Sequence, residues 1–246
     1  MLEVTHIDEI AVIEFAHGKV NAFDMEFCEY LVARLRDALE SDSRAVILSS
    51  KGRVFSAGID LKRWLAEGTE YVRPYMQLLE ELFETVFCYA KPIIADINGP
   101  AIAGGCMVAA ACDYRIIAPD VKIGILESRL GVPLPMMAIE IMRHVALPAV
   151  FRQVTSVGAT YTGQQAVEAG LADQCEPQSR SAAITAAREL TQIPLAAFEL
   201  TKRQRTEPVM RIVYENRKRL MDSYFHIWES ETTRNAIRTY VDDRLK

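Results

Sequence analysis

The sequence has no long apolar run, and none of its hydrophobic stretches reaches the roughly 20 residues needed for a membrane-spanning helix. It has no excess of basic residues: 28 Lys and Arg stand against 33 Asp and Glu, a net charge of −5. Such a chain has no surplus of cations with which to release counterions from phosphates, which argues against nucleic acid as a partner. Cysteine is scarce, five in 246 residues, and no two form a C-x-x-C pair. An odd set without paired spacing reads as reduced, buried thiols and not as a disulfide framework. Only four histidines occur, with neither a His-x-x-x-His pair nor a Cys/His cluster, so no metal site is expected. Neither G-x-G-x-x-G nor G-x-x-x-x-G-K-[ST] is present, which removes two nucleotide-binding fingerprints. The first nine residues carry acids where a targeting leader has arginines or an apolar run, and a cytoplasmic location is expected.

What is there is an ordinary globular composition, half hydrophobic and a quarter charged. The length suits one large domain, or one domain with a small appendage. Runs rich in β-branched residues at 10–15, 45–50, 92–97, 113–118 and 122–124 read as strands. Helical periodicity is read from Asp24, a plausible N-cap, to about Glu40, over about 71–87, and from Gly104 through Ala111. Alternating strands and helices predict an α/β fold with right-handed crossovers. After about residue 136 the pattern turns helical, and further breaks are expected near Pro194 and Pro208. The break at Pro194 divides a core, residues 1–193, from a helical C-terminal region, residues 194–246. That region is amphipathic, with Leu220, Tyr224, Phe225, Trp228, Ile237 and Tyr240 among its charges. It either docks on a neighbouring subunit or folds onto its own core.

Two glycine-bearing turns and one glutamate carry the chemistry. The first turn is Phe55-Ser56-Ala57-Gly58-Ile59-Asp60, and the second runs from Asn98 to Met107 through Gly104-Gly105. Turns leading into helices can aim two backbone N–H groups at one point, the arrangement that holds an oxyanion. Glu127 follows in Ile123-Gly124-Ile125-Leu126-Glu127-Ser128. Among apolar neighbours its carboxyl is expected to titrate high, as suits a proton shuttle. The alternative for Glu127 is a structural ion pair with Arg129 or Arg143. Asp113 is read as a backbone anchor, while Cys106 could be a nucleophile beside such a hole.

These segments, with Lys91–Gly99, Cys112–Ile116 and Ala166–Asp173, resemble the crotonase superfamily, the enoyl-CoA hydratases and isomerases. The resemblance spans most of the chain in the right order. It implies a spiral of ββα units followed by a C-terminal helical trimerisation region. A homotrimer or dimer of trimers is the assembly it implies. It assigns the oxyanion hole to the N–H groups of Ile59 and Gly104, and the substrate to an acyl-CoA thioester. No cofactor is implied beyond the coenzyme A carried by the substrate.

By the same resemblance, Lys19 and Lys62 lie where the nucleotide part of CoA is contacted. Backbone around Val20, Ala57, Asp60 and Leu61 takes the adenine and pantetheine. Asp60 is also read as a turn or cap residue. Met107, Met136 and Met137 are expected to line the acyl tail, with core filling as the alternative, and the resemblance makes Cys106 a small buried filler instead of a nucleophile. The hydratases of the family use two glutamates, and the position of the first is here Met107, a residue with no transferable proton. The motifs resemble the mitochondrial-type 3,2-enoyl-CoA isomerases more than the hydratases. A double-bond shift is therefore expected. A diverged hydratase, another thioester lyase or hydrolase, and a non-catalytic acyl-CoA binder are the alternatives.

Overall fold

The structure is a computed structural model that describes residues 2–244; Met1, Leu245 and Lys246 lie outside the described residues. A hairpin opens the chain, with β1 (Leu2–Ile7) antiparallel to β2 (Ile10–Phe15). Asp8 makes its tight turn at φ +53°, a conformation Asp tolerates better than most residues. Helix α1 (Met25–Glu40) starts where the Asp24 carboxylate accepts the Phe27 N–H at 2.8 Å. Strand β3 (Ala45–Ser50), helices α2 (Leu61–Glu67) and α3 (Thr69–Phe87) and strand β4 (Ile93–Ile97) follow. Next come β5 (Ala101–Ile102), α4 (Gly104–Ala111), β6 (Tyr114–Ile117), β7 (Lys122–Gly124) and α5 (Glu127–Leu130). Helices α6 (Met136–Val145) and α7 (Pro148–Arg152) lead into a π-helical turn, Gln153–Val157. The chain ends with β8 (Thr160–Thr162), α8 (Gly163–Glu168), β9 (Gln174–Cys175), α9 (Ser179–Thr191), α10 (Leu195–Trp228) and α11 (Glu231–Arg244).

The large sheet runs β1-β2-β3-β4-β6-β9, parallel except for its first pair. Alternate side chains of its strands go to two cores. Ile10, Val12, Ala45, Ile47, Ile94 and Ile116 pack on Ala183 and Ala187 of α9. Ala11, Ile13, Val46, Leu48, Ile93 and Ala95 face the main core, where α1, α3 and α4 lie. Burial on both faces explains why these strands read as continuous apolar runs. A small sheet, β5-β7-β8, stands apart; β5 lies within the second glycine-bearing turn and bridges to Ser56 of the first.

The α/β reading holds, and three local expectations change. Strand β1 has no counterpart in the sequence reading, because most of its side chains are exposed and leave a weak apolar pattern; its register is set by pairing with β2. Helix α2 is likewise unforeseen, since its seven residues are too few to show a helical period. The expected break at Pro208 is absent: α10 continues through it. An interior proline costs about 3 kcal/mol. Lys202, Thr206, Met210 and Val213, buried on both sides of Pro208, hold the helix to the body and offset that cost.

The C-terminal region packs on the core of its own chain. Met210, Val213, Phe225, Trp228 and Ile237 are buried in the main core. Trp228 Nε1 donates to the Pro133 carbonyl at 3.1 Å, and Arg234 donates to the Leu65 carbonyl at 3.3 Å. Asp113 ties the same region down: its carboxylate accepts the Ile93 N–H at 3.0 Å, Lys202 Nζ at 2.7 Å and Arg205 at 2.7 Å. Asp113 is thus the backbone anchor expected of it. Among the described residues no helix is long and apolar enough to cross a membrane, and no cluster of three His, Cys, Asp or Glu could hold a metal ion.

Candidate active site

Backbone hydrogen bonds assemble the site from three segments. The first turn is pinned to the chain ahead of it: Ala57 N–H donates to Val20 O at 3.0 Å, Phe23 N–H to Gly58 O at 2.7 Å and Asp60 N–H to Phe23 O at 2.9 Å. This places Lys19 and Val20, both exposed, beside exposed Ala57 and the Asp60–Lys62 segment. Asp60 also caps α2, accepting the Arg63 N–H at 3.0 Å.

Ser56 couples the first turn to the second. Its N–H donates to Pro100 O at 3.2 Å, its carbonyl accepts from Ile102 at 2.9 Å, and its hydroxyl donates to Asn21 O at 2.7 Å while accepting the Gly58 N–H at 3.0 Å. Pairing of β5 with β7 then couples the second turn to the glutamate segment, reinforced by Ala103 N–H to Gly124 O at 2.9 Å.

The two turns touch at Gly58. A Cβ there would lie 2.7 Å from the Ala103 Cβ and 2.8 Å from the Gly104 nitrogen, and φ is +83°. Only glycine allows that approach without strain. Contact at this point sets Ile59, the next residue, beside Gly104, and both line one cavity, which makes the N–H groups of these two residues the candidate donors. Neither donor has a hydrogen-bond acceptor among the described residues. Gly104 opens α4, so the positive end of that helix adds to the field at this point. Ala103, just before it, has φ +54°, a strained conformation for a residue with a Cβ and a frequent mark of functional backbone.

Glu127 begins α5 and is buried, with 6 % of its surface exposed. Burial pushes its carboxyl up to about 7, against the opposing pull of its own N–H and that of Leu126. Leu126 N–H donates to Oε2 at 2.9 Å. The expected alternative, an ion pair, is not formed: Arg129 donates to the Val157 carbonyl and Arg143 pairs with Glu140. Cys106, fully buried beside the site, has its thiol pushed up by burial and is the filler expected, not a nucleophile.

A narrow cavity joins these parts. Ile59, Gly104, Met107 and Glu127 line it, with Met76, Leu79, Phe83, Pro133, Leu134, Pro135, Ala138 and Trp228. Glu127 is the only ionisable side chain among them. The cavity is narrow, with room for about one water molecule. Met136 lies outside this cavity, in an adjoining pocket. Met137 lines neither space; it is fully buried in the core, which corrects its expected place on the acyl tail.

Three contributors are missing from the sequence reading. Ser56 is the joint between the turns, Asn21 supports it by donating to the carbonyls of Val54 and Phe55, and Trp228 closes the cavity from 169 positions beyond Ile59. Asn21 carries a signal, since asparagine is favoured at its φ of +47°. Trp228 carries none beyond the amphipathic stripe, because its reach to the site is set by tertiary packing.

The family model described as "Enoyl-CoA hydratase/isomerase" matches residues 6–245. The chain is 29% identical over 244 residues to the human "Enoyl-CoA delta isomerase 1, mitochondrial", covering 96% of this chain and 80% of that protein. It is 30% identical over 246 residues to a "Probable enoyl-CoA hydratase" of Bacillus subtilis, covering 96% of this chain and 93% of the relative. The crystal structure of human mitochondrial delta3-delta2-enoyl-CoA isomerase superposes with a TM-score of 0.92 at 27% identity, over 98% of this chain and 97% of that one. The crotonase-like α/β architecture with a long C-terminal helix is therefore shared with a solved structure.

Proposed function

From the premise that this chain belongs to the enoyl-CoA hydratase/isomerase family, we propose that it shifts the double bond of a 3-enoyl-CoA thioester to give the trans-2-enoyl-CoA. The thioester oxygen accepts hydrogen bonds from the N–H groups of Ile59 and Gly104. Glu127 as carboxylate takes a proton from C2. The electron pair passes into a dienolate whose charge rests on the thioester oxygen, and Glu127 returns the proton at C4. Each oxyanion donor of this kind is worth about 10²–10³ in rate. A carboxyl near 7 is well matched to taking and returning a proton at neutral pH. Lys19 and Lys62 supply ammonium groups for the phosphates of CoA, while backbone at Val20, Ala57, Asp60 and Leu61 holds its adenine and pantetheine.

One observation carries the reading: among the described residues Glu127 is the only ionisable group lining the cavity, and Met107 shares that cavity. One carboxylate suffices for a 1,3-proton shift, whereas adding water draws on two. Hydration is the second reading, favoured by the room for about one water and by the name of the Bacillus relative. The proposed assembly is a homotrimer or dimer of trimers, in keeping with Leu200, Ile212, Tyr214 and Ile227 standing exposed on α10; sedimentation analysis tests it.

The reaction is tested by following conjugated enoyl-thioester absorbance with a 3-enoyl-CoA, for the parent and for Glu127→Gln. Turnover in the parent and its loss in the variant are expected. Hydration of a trans-2-enoyl-CoA with no action on the 3-enoyl substrate would overturn the isomerase reading in favour of hydration. Acyl-CoA binding without turnover of either substrate would leave a binding protein.

A further inference from the structure

One carboxylate joins the two segments that carry Lys19 and Lys62. The chain leaves β2 through a turn in which Gly18, Lys19 and Val20 are exposed and Gly18 has φ +61°. His17 and Asp24 stand at the two ends of this turn, and His17 Nε2 lies 2.8 Å from Asp24 Oδ2. A carboxylate only accepts, so Nε2 carries the hydrogen of that bond. The imidazole also packs edge-on against the ring of buried Phe27, with centroids 5.6 Å apart. Arg63 of α2 approaches the same Asp24 Oδ2 at 3.5 Å. Its guanidinium is further held by Glu26 and Glu67, and it lies over the Tyr71 ring at 5.6 Å. Asp24 is therefore reached from both sides: by His17 from the Lys19 turn, and by Arg63 from the helix that carries Lys62.

We infer that His17, Asp24 and Arg63 are positioning residues for the nucleotide half of the substrate, fixing the Lys19 turn and the Lys62 helix at one spacing before the ligand arrives. The inference rests on the acyl-CoA reading above and adds to it the side chains that set the site's shape. A lysine ammonium is a point charge on a flexible stem, so recognition by two of them depends on where their backbones are held. A loose turn would have to be ordered by the ligand, and that cost is subtracted from affinity. His17 and Asp24 close the turn end to end. The ties from this turn to the first glycine turn run through other groups: Val20 O, Asn21 O and the backbone of Phe23. Loss of the imidazole therefore loosens residues 18–20 and leaves the glycine turn in place. None of the three positioning residues lines the Glu127 cavity. They act on binding of the nucleotide and not on the proton shift.

The experiment measures kcat and KM for a 3-enoyl-CoA and for the matching 3-enoyl thioester of pantetheine, which lacks the nucleotide. It uses the parent, His17→Ala and Arg63→Met. Each variant should raise KM for the CoA thioester about tenfold, the scale of one hydrogen bond to a charged group, with kcat within about twofold of the parent. kcat/KM for the pantetheine thioester should not change. His17→Gln, whose amide can still donate to Asp24, should recover most of the loss. The two variants lie on different segments, so one that fails to fold leaves the other to read. An equal loss on both thioesters would assign these residues to general stability and overturn the inference. Folded variants with an unchanged KM for the CoA thioester would overturn it too, and both results leave the isomerase reading intact. If the parent turns over no 3-enoyl thioester, that reading fails, and calorimetric titration with coenzyme A decides. A Kd weakened about tenfold in both variants supports the positioning role. An equal Kd, or no binding by the parent, refutes it.

Discussion

Replacing Glu127 by Gln should remove activity and, at alkaline pH, make the protein more stable. Burial raises the Glu127 carboxyl from 4.5 to about 7 in the folded chain. Between those values the folded protein keeps a proton that the unfolded chain has released. The raised group favours folding fully below 4.5, and this contribution is lost as pH climbs through 7. One pKa unit corresponds to about 1.4 kcal/mol, so the whole interval amounts to about 3 kcal/mol at pH 8. Glutamine keeps the shape and the acceptor for the Leu126 N–H but has no charge to bury. The variant should lie within about 1 kcal/mol of the parent at pH 5 and be about 3 kcal/mol more stable at pH 8. For a chain of this size that is a melting temperature about 6–12 °C higher at pH 8. Calorimetric melting of both proteins at pH 5, 6, 7 and 8 reads the difference directly. A gap that stays constant with pH, or a variant less stable at pH 8, would refute the burial argument.

Three further outcomes are expected. kcat/KM for a 3-enoyl-CoA should rise with pH through about 7, as the Glu127 carboxylate forms; a profile flat from pH 5 to 8 would remove Glu127 as the base. Gly58→Ala should lower kcat by about 10²–10³, the worth of one oxyanion donor, because the added Cβ pushes against Ala103 and the Gly104 nitrogen; near-normal kcat in a folded variant would separate the turn contact from catalysis. Asp113→Ala should cost about 3–5 kcal/mol by leaving buried Lys202 without its partner, whereas Asp113→Ala combined with Lys202→Met should recover much of that loss in denaturant titrations.

The parts of this molecule written in local chemistry were readable in the sequence. Asp24 announced α1 through its capping side chain, and Gly58, Gly104 and Gly105 announced the functional turns because only glycine permits such close backbone approach. Gly105, for example, leaves space for the Ser56 carbonyl, which a Cβ would meet at 2.5 Å. Glu127 stood out as an acid among apolar residues, and its burial followed. The remainder depends on contacts between distant segments. Strand β1 exists by pairing with β2, the helix through Pro208 by packing on the body, and the closing of the cavity by a tryptophan far along the chain. Met137 shows the same limit: its neighbour Met136 reaches a pocket while it fills the core, and one helical position decides between them.

The contact of Trp228 with the Pro133 carbonyl has a consequence for biosynthesis. The residues that give the two backbone donors are made more than a hundred positions before the side chain that roofs them. At about 5–20 residues per second the nascent chain spends on the order of ten seconds with the apolar cavity beside Glu127 uncovered. During that time Met76, Leu79, Phe83 and Leu134 offer a greasy surface to whatever is near the ribosome. Yield in the cell should therefore respond to chaperone supply and to translation speed over the last two helices, even for variants whose finished fold is unchanged.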